Sequence, residues 1–351
     1  MMELNDLIKQ PSGWLKQVGP NSEIVFSSRV RLARNLENVV FPDWADKKQM
    51  ECALAMLKAS VTQLNAIKNG GLFLDIQKMT NMDKQLLVER HLVSKEHIAQ
   101  ADNRAVAVSS DETLSIMLNE EDHLRIQMIE PGFDLDACWE KISRIDSEME
   151  KKLSFAFSPK WGYLTACPTN TGTGMRASVM LHLPALVMTK QINKVIQAII
   201  KLGLTVRGLF GEGTEAAGNF FQVSNQVSLG RSEEEIIDNI KRIIRQILDY
   251  EQNARKVLIS QNRISLENQV WRAYGILKNA RIISSSETIE LLSNVCLGIE
   301  VGIIKGLTRE IINELFILTQ PAHLQKIEGK SLSARQRDIK RAQLIRSKIK
   351  K

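Results

Sequence analysis

Met50, Leu54, Leu57, Val61 and Leu64 recur at helical spacing, so the pattern predicts an amphipathic helix over residues 46–64. Leu135, Trp139, Ile142, Ile145 and Met149 repeat that spacing and predict a second helix over Asp134–Leu153. Between them, Arg104–Val108, Thr113–Leu118 and Leu124–Ile129 are short β-like runs separated by polar breaks. The Gly-rich stretch Thr169–Arg176 is expected to lead into an apolar helix through about Thr189. Leu204–Phe210 and Phe220–Val223 read as strands with a Gly-studded loop between them. Ser232-Glu-Glu-Glu235 forms a capping box that opens a helix with Ile236, Ile240, Ile243, Ile244 and Ile247 on its apolar stripe. After about residue 255 the pattern is almost wholly helical. The expected organisation is therefore a mixed α and β part over residues 1–254 and an all-α part over residues 255–351.

Composition adds little to this picture until charge is placed along the chain. With 351 residues, 44% hydrophobic and 25% charged, the chain reads as a globular protein of two domains. It lacks the run of about 18 apolar residues that a membrane span needs, and Met1–Trp14 lacks the apolar core of a signal peptide. A cytoplasmic protein with no membrane role is the expectation. Cys52, Cys138, Cys167 and Cys296 are widely spaced and suggest neither a zinc site nor a disulfide framework. Cys52 and Cys138 are expected to be small buried hydrophobes. The net charge of +7 is concentrated in residues 330–351, where nine lysines and arginines face the single acid Asp338. The rest of the chain is nearly neutral, which argues against a general nucleic-acid surface.

Four segments carry candidate chemistry. Arg29 and Arg31 stand two apart on an extended segment, so they share a face; two guanidinium forks suit a polyanion, although a solvated strand edge would look the same. Glu120, Glu121 and Asp122 follow directly on an apolar run; they form either a charged turn or a carboxylate cluster for general-base work or for holding a cation. Cys167-Pro-Thr-Asn-Thr-Gly-Thr-Gly-Met-Arg176 offers glycines that let backbone N–H groups approach an anion, but it matches neither the P-loop nor the dinucleotide fingerprint. Arg207 and Glu212 flank a Gly-containing loop of the kind that closes over substrate.

Taken together, Ser27–Arg31, Asn119–Arg125, Cys167–Arg176 and Arg207–Glu212 occur in the order and form of the phosphagen (guanidino) kinase catalytic domain. The resemblance covers residues 24 to 254. It implies an α+β fold in which a curved antiparallel sheet flanked by helices is followed by an all-α C-terminal domain. Only about 25 residues precede the first motif, where small-molecule phosphagen kinases carry a helical domain of roughly a hundred residues. About a hundred residues follow the catalytic part instead. That layout resembles the protein-arginine kinase branch of the family, as does Arg337-Asp-Ile-Lys-Arg-Ala342, similar to that branch's phosphoarginine-binding motif.

The resemblance implies a role for each matching position. Glu121 is the base that takes a guanidinium proton, Glu212 the second carboxylate that grips the guanidinium, and Cys167 the reactive cysteine beside it. ATP, with Mg²⁺, would be held by Ser27, Ser28, Arg29, Val30 and Arg31, by Arg125, by Arg176, Ala177, Ser178, Val179 and Met180, and by Arg207, Gly208, Leu209, Phe210 and Gly211. His91 matches the position near the adenine, its plain alternative being a structural surface histidine. Arg337, Asp338 and Arg341 would bind phosphoarginine and serve feedback activation, or else form a solvated or nucleic-acid-binding basic helix. Expected partners are proteins with exposed arginines, an activator protein, a AAA+ unfoldase–protease, a transcriptional repressor as a client, and a second copy of the chain in a homodimer. A small-molecule guanidino kinase and an inactive adaptor are the alternatives.

Overall fold

The computed structural model describes residues 4–9, 11–16, 19–208 and 216–349. Eight strands form the main sheet: β1 (Val25–Arg34), β2 (Leu72–Asp75), β3 (Ala105–Val108), β4 (Leu114–Leu118), β5 (Leu124–Pro131), β8 (Met175–His182), β9 (Leu204–Gly208) and β10 (Phe220–Asn225). Their order across the sheet is β2-β3-β4-β5-β1-β8-β10-β9. The pairs β2–β3, β3–β4, β4–β5 and β1–β5 are antiparallel. A separate hairpin joins β6 (Phe157–Ser158) to β7 (Gly162–Tyr163).

The chain divides into two compact units, each assembled from separate stretches. One comprises Met1–Pro20, Ser27–Val179 and Ser224–Lys241; the other comprises Asn21–Phe26, Met180–Val223 and Arg242–Lys351. In the first unit the alternation of β1 decides which side chains meet the site. Ser28, Val30 and Leu32 are buried, and Arg29 and Arg31 project from the opposite face. Cross-strand register sets Arg31 opposite Gln127 and Ala33 opposite Arg125, so Arg29, Arg31, Arg125 and Gln127 share that face. The intervening positions Leu124, Ile126 and Met128 are buried on the other side. Helix Leu135–Glu150 buries Leu135, Cys138, Ile142 and Met149, and the Cys138 thiol reaches the Ser28 carbonyl at 3.3 Å. Each such apolar side chain contributes about 1.5–3 kcal/mol on full burial. The Asp134 side chain starts that helix by accepting from the Ala137 N–H at 3.0 Å.

Two expectations need correction here. The run after Gly174 is not a helix: Met175–His182 forms strand β8, and only Pro184–Met188 is helical. Met175, Ala177, Val179 and Leu181 are buried at a period of two, which a helix cannot satisfy, and Pro184 then opens the short helix at its first turn. Cys52 is exposed, because helix Lys47–Val61 turns Ala53, Leu57, Ser60 and Val61 inward and Cys52 away; Cys138 is buried.

The second unit is mainly helical. Its aromatic core stacks His182 on Phe220 at 4.7 Å, with Phe316 edge-on to Phe220 at 5.0 Å. Buried Glu251 accepts the N–H groups of Ala185 and Leu186 at 3.1 and 3.0 Å and pairs with Arg255 at 2.9 Å. Five helices fill the described residues after 262. Helix Glu233–Gln261, whose first turns belong to the first unit, opens with the expected capping box, in which the Glu235 N–H donates to Ser232 Oγ at 3.2 Å.

Candidate active site

The arginine-bearing face of β1 and β5 gathers four guanidinium groups. Arg29 Nε lies 3.4 Å from Ser178 Oγ on β8, and Arg176, on the same face of β8, donates to Ser224 Oγ at 3.2 Å. Arg29 is pushed down to about 10, first by burial and then by Arg125 and Arg176. Arg31 is pushed well below the ordinary arginine value, first by burial and then by Arg29, Arg125 and Arg176. Arginine keeps its proton in proteins, so these shifts register how unfavourable the crowding of positive charge is. An anion placed among the four relieves it. Arg31 Nε is a buried donor without a partner among the described residues, and such a group costs about 1–3 kcal/mol until it is satisfied.

The acidic turn closes one side of this cage. Asn119 turns the chain with φ of 58° and fixes the turn by donating its amide to the carbonyls of Met50 and Asn103, both at 3.0 Å. The three following acids then take different tasks. Glu120 is buried, pairs with Arg125 at 2.6 Å and accepts from Ser94 Oγ. Burial works to raise its pKa, but Arg125 and Ser94 outweigh burial and hold the carboxyl below its usual range. Asp122 Oδ1 accepts from Asn35 Nδ2 at 2.6 Å and from the Ala166 N–H at 2.7 Å. Glu121 faces the cleft. Burial and then the neighbouring Asp122 raise its pKa above the ordinary glutamate value, against the pull of Arg125. The expected carboxylate cluster is thus one strut for Arg125, one anchor for the chain and one group open to substrate.

The third wall is the loop that ends in β8. Glu121, Arg31, Arg125, Arg176 and Cys167 line one cleft of about 120 Å³. The Cys167 thiol lies 3.0 Å from Thr169 Oγ1 and is partly exposed. Gly174 has φ of +66°, and a Cβ there would stand 2.6 Å from the Ala33 carbonyl oxygen and 2.5 Å from Arg34 Nη1. The close approach lets the Ala33 N–H donate to the Gly174 carbonyl at 2.9 Å. Arg34 locks the same loop. It donates to the Thr173 carbonyl at 2.9 Å, pairs with Asp146 at 2.7 Å and lies 3.5 Å above the Tyr163 ring.

The other expected site residues fall outside this cleft. Ser28, Val30, Ala177 and Val179 are buried, and Ser28 Oγ bonds the Gly132 carbonyl at 2.9 Å; Ser27 and Met180 are half-buried strand residues. His91 is half-buried with φ of 60°, its ring edge-on to Trp14 at 6.0 Å and its carbonyl accepting from Gln127 Nε2 at 2.7 Å. Arg207 is exposed on β9, with Gly208 next to it, in the second unit. Glu212, Leu209, Phe210 and Gly211 lie outside the described residues. On helix Ala334–Ile349, Arg341 is buried, pairs with Asp338 and donates to the carbonyls of Thr319 and Ile283 at 2.8 and 2.9 Å. Arg337 stays half-buried and donates to the Leu332 carbonyl at 2.8 Å. Asn35, Asp122 and Gln127 were not singled out by the motifs as anchors. The only sequence signal for Gln127 was its period-two spacing from Arg125.

The chain matches two family models: the ATP:guanido phosphotransferase C-terminal catalytic domain over residues 54–254, and the protein-arginine kinase McsB C-terminal domain over residues 263–351. The curated protein-arginine kinase of Halothermothrix orenii is 48% identical over 349 residues, covering 99% of both chains. That of Bacillus subtilis is 46% identical over 340 residues, covering 96% of this chain and 93% of its own. Among solved structures, the duplicated taurocyamine kinase from Schistosoma mansoni with bound transition state analog components superposes with a TM-score of 0.61 at 27% identity, over 72% of this chain and 36% of that one. A lombricine kinase shares the fold at 24% identity and a TM-score of 0.59, over 71% of this chain and 75% of that one. The chain belongs to the ATP:guanidino phosphotransferase family and, within it, to the protein-arginine kinases.

Proposed function

We propose that this chain transfers the γ-phosphoryl group of ATP to arginine side chains of proteins, with Glu121 as the general base. The observation that carries the reading is the placement of Glu121, a carboxylate of raised pKa, in one cleft with Arg31, Arg125, Arg176 and Cys167. A guanidinium has a pKa of roughly 12.5–13.8 and no nitrogen lone pair free to attack. As the N–P bond forms, one nitrogen proton passes to Glu121 while the bond from the γ-phosphorus to the ADP oxygen breaks. A base whose pKa is raised accepts that proton more readily than an ordinary glutamate, and general-base help is worth about 10²–10⁴-fold. Glu212 is assigned as the second carboxylate that orients the guanidinium.

Arg29, Arg31, Arg125 and Arg176 stabilise the charge on the transferring phosphoryl group, and Arg207 joins them in this reading. Among the described residues no cluster of histidines, cysteines and acids is suited to a metal ion. On the family resemblance, Mg²⁺ would accompany the nucleotide phosphates beside the arginine cage, where it would supply charge neutralisation. No described helix is long and apolar enough to cross a membrane, and we place the activity in the cytoplasm.

The C-terminal helix is assigned to phosphoarginine binding. Arg341 is the buried strut that holds Asp338, and half-buried Arg337 is the side chain that meets the phosphoryl group. Delivery of the modified proteins to a AAA+ unfoldase–protease, a repressor among the clients, an activator protein and a homodimer complete the reading, on the family resemblance alone. The test is incubation of an arginine-rich protein with the chain, ATP and Mg²⁺. Acid-labile adducts of about 80 Da on arginine support it. Adducts on free arginine or creatine alone would replace it with small-molecule guanidino kinase activity.

A further inference from the structure

Gln127 is buried, and it bonds both the segment that carries His91 and the arginine cage. Its Nε2 donates to the His91 carbonyl at 2.7 Å and to Ser115 Oγ at 3.1 Å, and its Oε1 accepts from Arg29 Nη1 at 3.4 Å. The orientation of this amide is forced. A backbone carbonyl can only accept, so the amide nitrogen must face His91; a guanidinium can only donate, so the amide oxygen must face Arg29. Reversing the amide would set two acceptors against each other at one end and two donors at the other.

Both ends of the bridge are costly conformations that need support. His91 sits at φ of 60°, a left-handed backbone that a non-glycine residue adopts only when its surroundings fix it. Next to it, buried Arg90 donates to Glu112 through Nε at 2.6 Å, and Ser12 Oγ joins the same carboxylate at 3.1 Å. At the other end, Arg29 stands against Arg125 and Arg176, and Gln127 Oε1 shares with Ser178 Oγ, each at 3.4 Å, the task of holding its direction. Register places Gln127 directly across from Arg31 on the cage face of the sheet. One side chain thus ties the turn at His91 to the first arginine of the cage.

We propose that Gln127 is a positioning residue that couples the adenine end of the nucleotide site to its phosphate end. This rests on the reading of the site as an ATP site with His91 near the base. Gln127 sets the His91 backbone and the Arg29 guanidinium at a fixed separation, so that base and triphosphate are recognised together. The Arg29 contact, long at 3.4 Å, tightens when the triphosphate orders that side chain.

The experiment compares binding of ATP and of inorganic tripolyphosphate, which has the charge but no base, to the full chain by calorimetry. Gln127→Met keeps the side-chain length and removes both hydrogen-bonding ends; Gln127→Glu keeps an acceptor for Arg29 and removes the donor to His91. The expected result in both is a Kd ratio of tripolyphosphate to ATP that falls about 5- to 20-fold. The KM for ATP rises by about the same factor and kcat changes less than about 3-fold. A ratio unchanged within about 2-fold overturns the proposal, as does failure of both variants to fold, which would make Gln127 a structural residue only. If the unaltered chain binds neither ligand, the ATP-site reading itself falls and the coupling role falls with it.

Discussion

Asn35, at the end of β1, and Asp122, in the acidic turn, are joined at 2.6 Å, and the same Asp122 oxygen also takes the Ala166 N–H at 2.7 Å. One oxygen therefore fixes three chain segments: the strand of the arginine cage, the turn that carries Glu121 and the loop that carries Cys167. Asp122→Ala removes the acceptor of the half-buried Ala166 N–H and leaves the buried Asn35 amide only the Leu164 carbonyl at 3.1 Å, a loss of about 1–3 kcal/mol. Thermal unfolding should show that loss, and kcat should fall with it. Asp122→Asn keeps an acceptor oxygen and should recover most of the stability; equal damage from both variants would mean that charge, not acceptance, is what the site needs.

Arg125 and Glu120 form the ion pair that holds the cage to the turn. Glu120 is 3% exposed, so Arg125→Ala leaves a buried carboxylate without its cation. Breaking a buried pair costs about 3–5 kcal/mol, and the partial exposure of Arg125 puts this one at or below the low end. ATP affinity should fall in the same variant. Denaturant unfolding with the m-value unchanged and the midpoint lowered is the expected result.

Glu121 gives a signed pH dependence. Its carboxyl is raised by burial and by Asp122, so the native chain holds this proton to higher pH than the unfolded chain does. Between the two values the native state binds more protons, and stability falls as pH rises through that window. Glu121→Gln should therefore raise Tm at neutral pH, where the native glutamate is charged, and leave it unchanged below the ordinary glutamate range. The activity of the unaltered chain should fall on the acid side as Glu121 protonates, at a pH above that of an ordinary glutamate.

Gly174 tests the cysteine loop. Its φ of +66° and the 2.6 Å approach of the Ala33 carbonyl leave no room for a methyl group. Gly174→Ala should lower stability by about 2 kcal/mol or more, from backbone strain and the forced shift of Arg34 together. A Tm within a degree of the parent chain would show that the loop re-forms elsewhere.

Much of this arrangement is legible in the sequence, and the reasons are local. Arg29 and Arg31 share a face because strand periodicity is two, and the Asn119–Arg125 string carries its turn in its own residues. The segment after Gly174 reads as helix because Met175, Ala177, Val179, Met180 and Leu181 run on into the apolar residues Leu183–Met188, and that apolar density hides the strand alternation of Met175, Ala177, Val179 and Leu181. The Cys52 expectation failed for the opposite reason: the helix was legible, but its inward face was set by Ala53, Leu57 and Val61. Asn35, Asp122 and Gln127 act across 87, 44 and 36 residues of chain, and contacts of that range leave no mark on neighbouring positions.

The most direct measurement is single-turnover phosphoryl transfer from ATP to an arginine-bearing protein by the unaltered chain and by Glu121→Gln, with ATP affinity measured alongside. With Glu121 as the base, the rate in the variant falls about 10²–10⁴-fold while the Kd for ATP stays within about 3-fold, because the arginine cage is intact and only the proton acceptor is gone. A Glu121→Gln chain that transfers at near the original rate would contradict this assignment and would move the base to another group.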